Sequence, residues 1–126
     1  MSRRREDGGQ AAVELALVLP LVALLLLAVV QVARVLRAQL LVAHAAREAV
    51  RAAAVDPDPD AALVAALAAG PLPVDRVTVR VTDAGDGRVR VDVEHRAATD
   101  LPLVGALIGD VTLRGSATMR IEHRPP

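Results

Sequence analysis

From Leu15 to Ala33 the chain carries no charged side chain. Those 19 residues would make roughly 28 Å of helix at 1.5 Å per residue, close to the hydrocarbon thickness of a bilayer. Leu25, Leu26 and Leu27 lie at the centre, and Val29 and Val30 follow. A segment this long and apolar on every side is either a membrane span or the wrapped core helix of a larger protein. The other residues of this 126-residue chain are too few and too polar to wrap it. The sequence therefore predicts a transmembrane helix over residues 10–33, with the lipid bilayer as its partner. Pro20 falls inside it; its missing N–H leaves the carbonyl of Ala16 without a helical partner and favours a kink, which membrane helices tolerate.

Glu14 stands at the head of the apolar run, where an ionised group is costly and therefore usually functional. Gly9 lies five residues before it, at the end of a head (1–9) that carries Arg3, Arg4 and Arg5 against Glu6 and Asp7. Arginine beside a span tends to stay in the cytoplasm, and acidic residues offset this only weakly. This predicts a single-pass protein of the inner or plasma membrane, N-terminus inside and residues 56–126 outside. Arg34 and Arg37 oppose that orientation, but can snorkel to the headgroups. A secretory signal is the competing reading, yet its apolar core should be about 7–15 residues followed by a small-residue cleavage site. Here the run is longer, and Ala43-His44-Ala45 is only a weak cleavage candidate.

Helical patterning continues over 34–55. Val35, Val42, Ala46, Ala49 and Ala53 fall on one stripe, with arginines largely opposite. Counted from Gln10 to Val55 the helix would measure roughly 69 Å. Asp56-Pro57-Asp58-Pro59-Asp60 ends it, because proline cannot continue a helix and the residue before it avoids helical angles. Asp58 is placed to cap a second helix over 59–69, with Pro59 in its first turn and Gly70 as the stop. The period then changes to two. Val77, Val79 and Val81, then Val89, Val91 and Val93, alternate with polar residues around Asp83-Ala84-Gly85-Asp86-Gly87, which predicts a β-hairpin with one apolar face. A third strand is expected over 111–123. Three strands with one apolar face need a cover, and the alanine-rich helix 43–55 can supply it. Residues 101–108 are too short to span a membrane; packing on the same core as a crossover helix is the default expectation, with contact to the membrane surface or to a partner as the alternatives. With no Phe, Tyr or Trp anywhere, that core must come from Val, Leu, Ile and Ala.

No catalytic constellation emerges, and no cofactor is implied. His44 and Glu48 share a helix face, but no further ligand clusters near them, so a solvated face is the better reading. Asp56, Asp58 and Asp60 match the first acidic positions of a calcium loop, yet Ala61 stands where that loop needs Gly and Leu67 where it needs Glu. A net charge of zero and the lack of aromatics speak against a nucleic-acid partner. An uncleaved single-pass protein whose outer domain binds a cell-envelope partner stays open as an alternative at this point.

The stretch Gly9-Gln-Ala-Ala-Val-Glu14-Leu-Ala-Leu-Val-Leu-Pro20 resembles the start of TadE-like pseudopilins of tight-adherence (Flp-type) pilus systems. The resemblance implies an α+β, type IV pilin-like fold: a long N-terminal helix, transmembrane then amphipathic, packed on a small antiparallel sheet of about three strands. It implies a non-enzymatic pseudopilin or minor pilin of a pilus or related secretion machine. A prepilin peptidase would cleave after Gly9, leaving Gln10 as the new N-terminus. Glu14, at mature position five, would serve processing and assembly. Partners would be that peptidase, other pilins or pseudopilins and the membrane assembly platform. Leu15 stands where major Flp pilins usually have Tyr and pseudopilins often Phe, which points away from the major pilin.

Overall fold

The fold is that of a computed structural model, which describes residues 3–99 and 104–122, with side chains described over 8–99 and 105–122. The side chains of Arg3, Arg4 and Arg5 and the expected strand end at His123 lie outside the described residues. By internal contacts the chain divides into two units, Met1–Ala33 and Arg34–Pro126.

Helix α1 runs Arg3–Val55 and includes Pro20. It begins seven residues before the expected Gln10, in a head whose Arg and Glu residues are good helix formers. In the first unit its aliphatic side chains are bare: Leu15, Leu17, Leu19, Leu21 and Leu25 are all more than half exposed.

In the second unit the same helix is one side of a core. Val42, Ala45, Ala46, Ala49, Val50, Ala53 and Ala54 are buried at i, i+3 and i+4 spacing. They face a three-stranded antiparallel sheet of order β1-β2-β3: β1 Val77–Gly85, β2 Arg88–Ala97 and β3 Val111–Arg120. The α+β architecture read from the sequence is therefore present, an apolar N-terminal helix with its later half laid on an antiparallel sheet. Val91 and Val93, at the centre of the middle strand, are fully buried, and their polar neighbours point the other way. Register places Val79 opposite Val93, and Val91 between Val81 and Ala117. A second helix, α2 (Pro59–Ala68), adds buried Ala62 and Ala66. Its start follows the expected chemistry: Asp58 is extended, and its carboxylate accepts a 3.0 Å hydrogen bond from the Asp60 N–H.

Alanine on the helix lets the backbones close up. A Cβ built on Gly115 in β3 would stand 2.9 Å from the Val42 carbonyl oxygen, so only glycine fits this crossing as it stands. Two hydrogen bonds fasten the same contact. Gln39 Nε2 donates to the Arg114 carbonyl at 2.9 Å, and the Glu122 N–H donates to the Ala54 carbonyl at 3.1 Å. The hairpin turns through Asp86 and Gly87, both at positive φ (53° and 66°), as a two-residue type I′ loop requires. Ala84 is left out of the ladder as a bulge between Asp83 and Gly85.

The expected crossover helix over 101–108 is corrected. Residues 101–103 lie outside the described residues, and helix α3 is only Val104–Ile108. Leu107 is 86% and Ile108 62% exposed, so neither joins the core. The alanines of α1 and α2 already cover the apolar face of the sheet.

Candidate membrane and processing segment

The first unit is built from a helix whose apolar side chains are exposed among the described residues. Within Gly8–Val55 the most apolar 18-residue window has a mean hydropathy of 2.9, and none of it is buried. A helix of that length, apolar on all sides and uncovered, meets the requirement for a bilayer span. Gln31 is the one polar side chain between Leu15 and Ala33 and is half-buried.

Glu14 is exposed at the head of this segment. Its neighbour one turn back answers part of its polarity: Gln10 Nε2 donates to Glu14 Oε1 at 3.3 Å. The two residues are four apart, so both point from the same face of α1. Gly9 is helical, and a Cβ added there would meet nothing within 4 Å. Gly8 is equally open. Glycine inside a helix costs roughly 1 kcal/mol relative to alanine. No packing or turn in the described structure requires it at either position. Residues 9–51 match the family model for TadE-like proteins.

The match runs from the glycine at the polar–apolar border to the arginine near the end of α1, about a third of the chain. It agrees with the resemblance to TadE-like proteins carried by residues 9–20. No curated protein and no solved structure matches the chain.

The remaining candidate residues are dispersed. His44 is exposed and Glu48 half-buried on α1, and among the described residues no group of three His, Cys, Asp or Glu side chains converges. The carboxylates of Asp56 and Asp58 are directed at backbone: Asp56 Oδ1 accepts from the Asp58 N–H at 3.1 Å, as Asp58 Oδ1 does from Asp60. His95 sits on the covered face of β2, 7% exposed, and its Nδ1 has no hydrogen-bond partner among the described residues. Its burial is legible from the β2 alternation, since position 95 continues the set 89, 91 and 93.

Proposed function

We propose that the chain is a non-enzymatic pseudopilin or minor pilin of a tight-adherence pilus or related secretion system, cleaved by a prepilin peptidase after Gly9. The observation that carries this reading is the composition of one segment: an unpacked glycine, then Glu14, then an uncovered apolar helix, all within the TadE-like match. An exposed helical glycine pair lowers the cost of unwinding the chain at a scissile bond, since glycine gives up little helix stability. Cleavage would make Gln10 the N-terminus. Its new ammonium and the Glu14 carboxylate are each costly in lipid and much less so as a pair. The pair forms between neighbouring subunits and sets their stagger, while the bare aliphatic faces of the spans pack laterally. The protein sits in the inner or plasma membrane with its head in the cytoplasm and its sheet domain outside. Its partners are the peptidase, other pilins or pseudopilins and the assembly platform.

The test is co-isolation of the tagged chain with its pilus components from detergent-solubilised membranes. Replacing Glu14 by Gln is expected to abolish recovery of the other pilins and leave membrane insertion unchanged. Undiminished recovery with Glu14→Gln would remove Glu14 from assembly.

A further inference from the structure

The side of the sheet turned away from α1 is a field of arginine. Alternation places Arg80, Arg88, Arg90, Arg96, Arg114 and Arg120 there, with Asp92 and Glu94 as the acidic residues among them. Asp92 is taken by Arg90 and Glu94 by Arg114, each at 3.1 Å. Among the described residues Arg80, Arg88, Arg96 and Arg120 make no ion pair. At the hairpin end Arg88 stands directly opposite Arg120 across the ladder. Like charges in that position are unfavourable, and a carboxylate lying between them reverses the sign.

The opposite charge is concentrated elsewhere on the same unit. Asp56, Asp58 and Asp60 are all exposed, and no basic residue occurs from 52 to 75. Pro57 and Pro59 fix the backbone, and the two aspartate–backbone hydrogen bonds hold the turn in one shape. The turn lies on the helix-covered side of the sheet, where Val55, Pro57 and Pro59 border a groove with Val81 and Val89. Among the described residues no ion pair joins this turn to the arginines within one copy.

We propose that the arginine face at the hairpin end of one copy docks on the acidic turn 56–60 of a second copy, head to tail. The arginine forks take the aspartates as carboxylate partners. Because the two surfaces differ, the contact does not close on itself but repeats from copy to copy. It goes beyond the assembly role proposed above and stands without cleavage or Glu14.

The chain has no cysteine, so engineered thiols report cleanly. Full-length Thr118→Cys and Val55→Cys chains, differently tagged, are co-reconstituted in vesicles of phosphatidylcholine alone or with added phosphatidylglycerol and joined with a short bis-maleimide; Val55 is exposed beside the turn. Cross-linking between the two tags is expected, falling severalfold between about 0.05 and 0.5 M salt as screening shortens. Arg88→Glu/Arg120→Glu on the first chain, or Asp56→Lys/Asp60→Lys on the second, is expected to cut the yield roughly tenfold. Combining the two reversed chains is expected to restore it, and restoration also shows that both are folded. The neutral Arg88→Gln/Arg120→Gln chain should give an intermediate yield. Yields unmoved by reversal, or lost without restoration in the mixed pair, overturn the proposal. So does cross-linking that appears only with anionic lipid and ignores the aspartates.

Discussion

Replacing Gly115 by Ala tests the helix–sheet contact at its tightest point. The added Cβ would lie 2.9 Å from the Val42 carbonyl oxygen and 3.1 Å from both its carbonyl carbon and Cγ1. Ordinary contact would need the two elements to part by about 0.5–1 Å. Two of the three opposing atoms are backbone, so no rotamer change relieves the clash. Overpacking of this kind costs about 1–3 kcal/mol. Moving α1 off β3 also stretches the 2.9 Å bond from Gln39 to the Arg114 carbonyl, worth about 1 kcal/mol. Against this stands the entropic gain of Gly to Ala in the unfolded chain, about 0.4–1 kcal/mol. The clash wins, with a net loss of about 1–3 kcal/mol. For a domain of this size that is a fall in Tm of roughly 5–20 °C. The assay is thermal unfolding of the full-length protein in detergent, followed by near-ultraviolet-independent strand and helix signals in circular dichroism. The neighbouring Ser116→Ala, on the open face, should stay within about 0.5 kcal/mol of the parent. A Gly115→Ala chain that melts at or above the parent would refute the close approach of α1 to β3.

Other substitutions probe separate parts of the same unit. His95→Leu removes a buried nitrogen that has no partner among the described residues from an apolar face, and should raise stability by about 1 kcal/mol in urea titrations; a loss would show that Nδ1 is satisfied after all. Asp58→Ala removes the cap of α2 and should cost about 1 kcal/mol, with Asp58→Asn largely retaining it. Val91→Ala empties a fully buried site at the sheet centre and should cost about 2–3 kcal/mol; a smaller effect would mean that the alanine-rich core collapses into the space.

Much of this architecture was legible because its signals are local. Asp58 and Pro59 announce a helix start by their own backbone chemistry, and Val89, Val91 and Val93 announce a buried strand face by alternation. The stripe on α1 was read in part: Val42, Ala46, Ala49 and Ala53 are buried as expected, and Ala45, Val50 and Ala54 join them. The helix meets both the sheet and α2, so its covered arc is wider than a single stripe. What could not be read depends on pairs of distant residues. Nothing local to Gly115 says that Val42 will lie against it. The exposure of Leu107 and Ile108 follows from the sheet already being covered by alanines distant in sequence, which hydropathy alone does not reveal. The arginines of β2 and β3 were visible as a polar face, but their opposition at Arg88 and Arg120 needed the register. In the first unit the span and Glu14 were read from composition, whereas the Gln10 contact to Glu14 depends on the side-chain conformations of the two residues one turn apart.

The most direct measurement is the intact mass of the membrane-extracted protein, with and without a co-expressed prepilin peptidase. A chain that begins at Gln10 only when the peptidase is active, and that Gly9→Val keeps at full length, is the expected result. A chain that still begins at Met1 or Ser2 beside an active peptidase would contradict processing and leave an uncleaved single-pass anchor.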